Sequence, residues 1–286
     1  MPIETIIEQP SGVNEQTVAD SAFYWRESGG VRVLVCRALE DAGFVNGFST
    51  RLGGVSPFPS RDLNLAGFNE DTAENIYENR RRFLALFDGE RTLATVWQVH
   101  GDAIKTIRAF SDVGDSEEKA DAVISDAEGI LAGVKTADCV PVLIGDRATG
   151  TFAAVHAGWR GTVQSIAFKA VGKMVADFGA DPASMIAAVG PAASGRRYEV
   201  GSDVLDAFNA ARKDSEQYFK PTREEHFLVD LHAANRDQLA DAGLAGRNIH
   251  VSDLCTIERN DLFFSYRVEK RKFGKTGRLL SVIGRR

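Results

Sequence analysis

The sequence predicts an α/β or α+β protein with mixed β-sheets, and two observations support this fold class. Short apolar runs rich in β-branched residues alternate along the chain with longer runs whose apolar residues recur at helical spacing. Proline and glycine are dispersed, and neither an internal repeat nor a clear linker divides the 286 residues. We therefore expect a single domain over residues 1–286, long enough to bury roughly three quarters of its unfolded surface without a disulfide or a metal to hold it together.

The predicted elements alternate from one end of the chain to the other. Residues 31–36 form a β-branched run that is typical of a strand, and residues 72–87 have the periodicity of a helix. Later strands are predicted at residues 139–145, 151–156, 185–190 and 226–230, and later helices at residues 163–178, 200–212 and 231–242.

The most informative segment is a predicted hairpin that Cys139 and His156 bracket. With its turn centred between Arg147 and Ala148, these two residues lie directly opposite each other, and their side chains are roughly 5 Å apart. That is close enough to share a metal ion or a proton. A loop of five residues would instead turn them to opposite faces unless a bulge restored the pairing. The alternative, that the cysteine is a small buried apolar residue and the histidine is structural, stays open from these two residues alone.

A glycine-flanked turn and a predicted helix follow His156. Thr162 is suitably placed as the N-cap of this helix, and Gly179 is suitably placed to end it. Free backbone N–H groups at such an N-terminus, next to His156 and Arg160, suit a phosphate or carboxylate. An ordinary strand-to-helix turn would have the same pattern.

A second histidine, His100, ends the strand-like run 95–101. Two histidines and one cysteine make three zinc ligands, a set that leaves a fourth position for water or substrate and is typical of catalytic sites. The remaining cysteines, Cys36 and Cys255, are far away in sequence and provide no Cys-x-x-Cys spacing that would close a structural site. The sequence therefore favours an open site of His100, Cys139 and His156 if a metal binds.

Three segments resemble those of a known family. They are Gln98-Val-His-Gly101, Thr136-Ala-Asp-Cys-Val-Pro-Val-Leu143 and Ala154-Val-His-Ala-Gly-Trp-Arg-Gly161, and they resemble the YfiH-like family, long labelled polyphenol oxidoreductase or laccase-domain proteins. Further matching stretches lie at residues 50–56, 63–65, 190–191, 198–201, 233–236, 255–256 and 264–267. The resemblance covers roughly residues 44–280, so the segment before about residue 44 is less specific. Where the family often has a cysteine after its Gly-Pro, this chain has Ala192.

The resemblance has implications for fold, metal and substrate. It implies layered mixed sheets flanked by helices, a fold related to that of a bacterial toxin deamidase. It also implies that His100, Cys139 and His156 hold zinc and face a pocket for purine nucleosides. Members of the family phosphorolyse adenosine, inosine, guanosine or methylthioadenosine, and they deaminate adenosine. Bacterial members are also linked to peptidoglycan editing in the cytoplasm, so the implied partners are a purine nucleoside, phosphate and a muropeptide precursor.

The laccase label conflicts with the histidine count. Multicopper oxidation needs a mononuclear copper site and a trinuclear cluster with many more histidines. The chain has five histidines, His100, His156, His226, His232 and His250, and after one mononuclear site only three would remain. We therefore expect zinc, with copper only as an adventitious ligand, because copper(II) outcompetes zinc at most nitrogen and sulfur sites.

Each proposed reaction requires further side chains. Deamination needs a hydroxide, which zinc supplies by lowering the pKa of its bound water to about 7. Asp138 is the predicted proton carrier to the leaving amine, and its structural alternative is to tie down the turn. Phosphorolysis needs a phosphate clamp, for which Arg51 and Arg160 are the candidates, since a guanidinium binds phosphate in a bidentate fork. Asn64 and Gln98 are the candidate polar contacts to the base or the ribose.

A hypothesis from another chemical class uses the same residues without a metal. Cys139 would be a thiolate nucleophile and His156 its base, as in cysteine hydrolases, acting on an amide of a muropeptide precursor. The related toxin deamidase uses a Cys-His pair, which supports this hypothesis by analogy only. His100 discriminates between the two, because such a hydrolase needs one histidine at the sulfur and an open zinc site needs two. A third hypothesis is a binding module with structural zinc. The absence of a fourth protein ligand argues against it.

Composition and charge limit the classes of partner. The net charge of −6 disfavours nonspecific nucleic-acid binding. No stretch reaches about 18 uninterrupted apolar residues, and the start lacks the basic region of a signal peptide. Three widely spaced cysteines argue against a disulfide framework. We therefore expect a cytoplasmic protein with neither a nucleic-acid nor a membrane partner.

Charge is unevenly distributed along the chain. The acidic residues Asp112, Asp115, Glu117, Glu118 and Asp121 predict a solvated loop. The basic residues that follow Arg267 predict a solvated hairpin around the turn Gly274-Lys-Thr-Gly277.

Overall fold

A computed structural model describes residues 22–58, 62–66, 71–114 and 118–286. Its strands, in chain order, are β1 (Phe23–Ser28), β2 (Val31–Cys36), β3 (Phe44–Ser49), β4 (Thr92–Ala94), β5 (Ile104–Ile107), β6 (Ala122–Ser125), β7 (Ile130–Thr136), β8 (Val140–Asp146), β9 (Phe152–Ala157), β10 (Met185–Val189), β11 (Glu199–Gly201), β12 (Phe219–Arg223), β13 (His226–Val229), β14 (Ile249–Val251) and β15 (Leu279–Arg285). Its α-helices are α1 (Arg37–Asp41), α2 (Ala73–Leu84), α3 (Trp159–Val163), α4 (Ile166–Phe178), α5 (Ser202–Ala211), α6 (Leu231–Asp241) and α7 (Tyr266–Phe273).

The strands form two large mixed sheets and one small sheet. The first has the order β1-β2-β3-β15-β7-β4, and the second has the order β14-β10-β8-β9-β6-β5. Each large sheet contains parallel and antiparallel pairs, since β4 runs parallel to β7 and β5 parallel to β6. The small sheet has the order β11-β13-β12. Strand β15, near the end of the sequence, lies between β3 and β7 and so joins the two ends of the described chain in one sheet.

The two large sheets pack face to face, with helices outside them. Leu34 and Phe48 of the first sheet share a buried core with Leu143 and Phe152 of the second. Alternate residues point to the outer faces because side chains along a strand alternate between its two sides. The outer face of the first sheet packs on α2, and that of the second packs on α4, α5 and α6. The predicted layering of mixed sheets flanked by helices is therefore confirmed.

The hairpin of β8 and β9 is confirmed, but its predicted register was wrong. His156 lies opposite Pro141 rather than Cys139. The reason is the loop: the Asp146 N–H donates to the Thr151 carbonyl (2.8 Å), so the turn is centred one residue later than predicted. This moves the pairing by two residues, which keeps Cys139 on the same face as His156 as a diagonal neighbour.

Two predicted elements near the hairpin were also wrong. The strand-like run 95–101 is not a strand, since β4 ends at Ala94. The helix predicted over residues 163–178 is divided into α3 and α4 by Ser165, which has a left-handed φ of 61°. Thr162 is not an N-cap, because it lies inside α3, whose N-cap is Gly158. Its hydroxyl accepts a hydrogen bond from Asn235 of α6 (3.0 Å). Gly179 ends α4 in a left-handed conformation, as predicted.

The basic C-terminal stretch forms a helix, so the predicted hairpin was wrong. Ser265 caps α7 by accepting from the Val268 N–H (3.3 Å), and Gly274 ends the helix with φ 74°. A Gly in the left-handed region is a common helix C-cap as well as a turn former, and here the capping role applies. Within the described ranges, no helix is both long and apolar enough to cross a membrane.

Candidate functional site

His100, Cys139 and His156 come together at one edge of the layer between the two large sheets. Their potential ligand atoms all lie within 4.8 Å of one another. The rings of His100 and His156 meet edge to face, with centroids 4.9 Å apart and an interplanar angle of 80°. His156 is on β9, Cys139 immediately precedes β8, and His100 is in the loop after β4. The structure thus gathers the three residues that the sequence predicted as metal ligands.

Asp121 holds two parts of this cluster in place. Its fully buried carboxylate accepts hydrogen bonds from the backbone N–H groups of Val99 (3.2 Å), His100 (2.9 Å) and Gly101 (2.7 Å). It also contacts His156 Nδ1 at 2.8 Å. A carboxylate can only accept a hydrogen bond there, so His156 carries a hydrogen on Nδ1, and Nε2 is the nitrogen that faces the cluster.

The predicted solvated loop was therefore wrong for Asp121. Asp112 and Glu118 of the same acidic stretch are exposed, whereas Asp115 and Glu117 lie outside the described residues. The signal that could have separated Asp121 from them is local. Asp121 lies between Ala120 and Ala122, at the start of the apolar run that becomes β6. A solvated loop would not continue into such a run.

The cluster favours an ionised cysteine. Burial opposes ionisation of the Cys139 thiol, but the neighbouring imidazoles of His156 and His100 outweigh this effect and lower the pKa of the thiol to about 6. Burial likewise opposes protonation of His156, and the charges of Cys139 and Asp121 outweigh it and raise the pKa of His156 to about 9. The thiolate is the form that binds a metal or attacks a substrate.

A glycine provides the space that the cluster occupies. A Cβ atom on Gly158, in the turn after β9, would lie 2.9 Å from Cδ2 of His100 and 3.1 Å from Sγ of Cys139. Gly161 is also tight, since its Cβ would lie 3.0 Å from the carbonyl oxygen of Gly101. The glycines of the Gly-Trp-Arg-Gly motif therefore allow α3 to approach the His100 loop closely.

We expect Gly158→Ala to weaken metal binding by roughly tenfold or more, because the added methyl group must displace His100 or Cys139. A chelator competition titration measures this affinity. Gly172→Ala is the matched control, since Gly172 lies within α4 with open space around its Cα; that change should leave metal affinity unaltered and stabilise the fold by about 0.5–1 kcal/mol. Equal metal affinities for the two variants would contradict the steric argument.

The donor set fits a metal ion with an open coordination position. Cysteine sulfur and histidine nitrogen are the ligands that zinc prefers in proteins, and Asp121 behind His156 supplies the usual hydrogen-bond partner of a ligating imidazole. No fourth His, Cys, Asp or Glu joins the group in the described part of the chain. His156 is buried, Cys139 half-buried and His100 exposed, so the cluster opens to solvent on the His100 side.

Asp138, the predicted proton carrier, has partners on both carboxylate oxygens. Oδ1 accepts from the Thr256 hydroxyl and Oδ2 accepts from the Arg267 backbone N–H, each at 2.7 Å. Burial raises the pKa of this carboxyl group. Asp138 itself has a left-handed φ of 83°, which places Cys139 at the turn into β8. These contacts favour the structural alternative for Asp138, and the proton-carrier role stays a prediction.

Arg51, a predicted phosphate clamp, is part of a buried ion-pair network. Its guanidinium contacts the carboxylates of Asp62 (2.9 Å) and Glu269 (2.7 Å) and donates to the carbonyl of Asn260 (2.7 Å). Two buried carboxylates already balance its charge, and this arrangement favours a structural role.

The other predicted contact residues divide into structural and exposed groups. Asn64 Oδ1 accepts hydrogen bonds from the backbone N–H groups of Ala66 and Arg278. The side-chain amide of Gln98 donates to the carbonyl of Lys135 and accepts from its N–H. Arg160 is exposed and lies against the ring of Trp159, with its Cζ 4.1 Å from the ring centroid. The guanidinium of Arg160 has no ion-pair partner in the described ranges, so it is the one predicted clamp that is open to a ligand.

Comparison with known proteins identifies relatives across most of the chain. The family model for multi-copper polyphenol oxidoreductase laccase matches residues 45–286. The chain is 37% identical over 237 residues to the purine nucleoside phosphorylase YfiH of Shigella flexneri, which covers 82% of this chain and 91% of that protein. It is 38% identical over 238 residues to a purine nucleoside phosphorylase of Deinococcus radiodurans, which covers 83% of this chain and 87% of that protein.

Solved structures agree with these sequence relatives. YlmD from Geobacillus stearothermophilus superposes with a TM-score of 0.83 at 34% identity, covering 93% of this chain and 99% of that one. A hypothetical protein YfiH from Bacillus licheniformis also has a TM-score of 0.83, at 30% identity and with 92% and 99% coverage.

Proposed function

The chain belongs to the YfiH-like family, the multi-copper polyphenol oxidoreductase laccase proteins of the family model, and we propose that it is a zinc-dependent purine nucleoside phosphorylase that also deaminates adenosine. The observation that carries the proposal is the open His100–Cys139–His156 cluster in a chain whose relatives are named purine nucleoside phosphorylases. Zinc, when bound, supplies a Lewis acid at the open coordination position.

The chain's own residues hold the cluster ready for this chemistry. Asp121 holds a proton on His156 Nδ1, so that Nε2 is the nitrogen that would release its proton and bind the metal. The same carboxylate fixes the His100 loop through three backbone N–H groups. Because one buried group orients both histidines, little reorganisation is needed when the metal and substrate bind.

The proposed phosphorolysis forms one bond and breaks one. An oxygen of phosphate bonds to C1′ of the ribose while the C1′–N9 bond breaks. The electron pair of the broken bond leaves with the purine, which takes up the proton released by phosphate. Arg160, exposed at the start of α3, is a candidate to position the phosphate or the base through its guanidinium.

The test is product analysis of adenosine incubated with the zinc-loaded protein, with and without phosphate. We expect adenine and ribose 1-phosphate only when phosphate is present, and inosine from deamination in both cases. A chelator should stop both reactions and added zinc should restore them. Phosphate-independent release of adenine, or no turnover of any purine nucleoside, would contradict the proposal.

The cysteine hydrolase is the second candidate function, favoured by the lowered pKa of Cys139 beside His156. Its substrate would be an amide of a muropeptide precursor, which would connect the chain to peptidoglycan editing. Activity that survives chelation and forms a covalent adduct on Cys139 would select this candidate over the zinc enzyme.

A further inference from the structure

A cleft of about 770 Å³ lies on the side of the molecule formed by α7 and by the segment that leads into β11. This volume is in the range of small-molecule sites. Its charged lining residues are five cations and one carboxylate: Arg196, Arg197, Arg267, Arg271, Lys272 and Glu199. The concentration of positive charge contrasts with the chain as a whole, whose net charge is −6.

Most of this positive charge is uncompensated. Arg196 is paired with Asp253 (2.7 Å) and Glu258 (3.1 Å). The one carboxylate of the cleft, Glu199, is paired with Arg223 (2.9 Å). The other four cations of the cleft are exposed, and none has an ion-pair partner in the part of the chain that the structure describes. Like charges held together without partners repel one another, so an anion would be stabilised between them.

The walls of the cleft are tied to the metal cluster through one residue. Asp138, which directly precedes Cys139, accepts hydrogen bonds from three segments that continue into the cleft. Its carbonyl accepts from the Ala193 N–H (3.0 Å), and its carboxylate accepts from the Thr256 hydroxyl and the Arg267 N–H. Three segments that supply cleft residues are therefore anchored on the residue next to a predicted metal ligand.

Tyr198 strengthens this connection. The guanidinium of Arg267 lies over its ring, with Cζ 4.7 Å from the ring centroid. Tyr198 lies between Arg197 and Glu199, which both line the cleft, so this contact packs Arg267 against a second wall of the cleft.

We propose that this cleft is the phosphate subsite of the enzyme, with Arg267 as its principal ligand and Arg197, Arg271 and Lys272 as supporting charges. The inference rests on the proposed phosphorolysis and deepens it. A guanidinium binds phosphate oxygens in a bidentate fork, and Arg267 is the cation whose backbone is anchored beside the metal cluster. The volume also accommodates the sugar of the product, ribose 1-phosphate.

The experiment compares phosphate binding and phosphate kinetics in three variants of the zinc-loaded protein. Arg267→Gln and Arg271→Gln each remove a cleft charge, and Arg267→Gln keeps the backbone N–H that bonds Asp138. Arg212→Gln is the matched control, because Arg212 is paired with Asp241 and does not line the cleft. Titration calorimetry with inorganic phosphate gives Kd, a second titration with ribose 1-phosphate gives Kd for the product, and phosphorolysis assays give KM for phosphate.

We expect Arg267→Gln to raise Kd and KM for phosphate by about tenfold or more, as loss of a charge-assisted hydrogen bond predicts, and Arg271→Gln to raise them by a smaller factor. The Kd for ribose 1-phosphate should rise in parallel, while KM for the nucleoside should change by less than about twofold. Arg212→Gln should match the wild type in every measurement.

The outcomes separate the subsite from the function it serves. Unchanged phosphate Kd and KM in both cleft variants, with phosphorolysis intact, would overturn the subsite and leave the proposed function standing. Weakened phosphate binding in a protein that phosphorolyses no nucleoside would support the subsite and overturn the proposed function. Thermal unfolding of each variant verifies that binding losses are local: an unchanged midpoint is expected for the exposed Arg267 and Arg271, and at most a small decrease for Arg212, which loses its ion pair with Asp241.

Discussion

Cys139→Ala is expected to lose its metal and at least about 99% of its phosphorolytic activity, while the protein stays folded. The thiolate is one of the three protein donors that the described residues supply to the cluster, and even loss of a residue that merely orients a metal ligand typically costs 10–100-fold in affinity or activity. Metal content by mass spectrometry, measured beside the rate of adenine formation, tests this prediction. About one zinc per chain is expected for the wild type.

A second cysteine provides the control for this variant. Cys36 is fully buried in the core between the large sheets and is not part of the cluster. Cys36→Ala should therefore keep its zinc and its activity, with only a loss of stability from the missing side-chain contacts. Zinc retained by Cys139→Ala, or lost equally from both variants, would contradict the assigned ligand.

Asp121→Asn is expected to weaken zinc binding by roughly 10–100-fold without changing any metal ligand. The carboxylate accepts two donors on each oxygen: His100 N–H and His156 Nδ1 on Oδ1, and the N–H groups of Val99 and Gly101 on Oδ2. An asparagine has one carbonyl oxygen and one NH2 group, so in either orientation two of these donors would face another donor. The substitution also removes the negative charge that favours a proton on His156 Nδ1.

Asp146 is a matched control at the other end of the same hairpin. It is also fully buried, and it accepts from the backbone N–H groups of Ala148 (3.3 Å) and Thr149 (3.0 Å). Asp146→Asn should lower the thermal stability as Asp121→Asn does, because each substitution removes hydrogen bonds that a buried carboxylate accepts, but it should keep the wild-type zinc affinity. The argument for Asp121 fails if competition titrations give the same zinc affinity for both variants.

The sequence by itself determined the local elements and the donor set of the cluster. The strands at residues 31–36 and 185–190 and the helix within residues 72–87 were predictable because their apolar periodicity is a property of neighbouring residues. The three metal-ligand candidates were recognisable from the chemistry of two histidines and one cysteine and from the family motifs around them. Errors at this level, such as the undivided helix predicted over residues 163–178, arose where a single left-handed residue interrupts a continuous pattern.

Only the tertiary structure decided which distant groups meet. Asp121 contacts His156 across 35 positions of sequence, and Arg267 donates to Asp138 across 129. Arg51 pairs with a carboxylate 11 positions away and with another on α7. The contact of Asp121 with His156 depends on the pairing of β6 with β9, and the position of Cys139 beside His156 depends on a hairpin register fixed by one turn. Local periodicity carries no information on such pairings, because a hydrogen bond or ion pair joins whatever groups the sheets and helices place side by side.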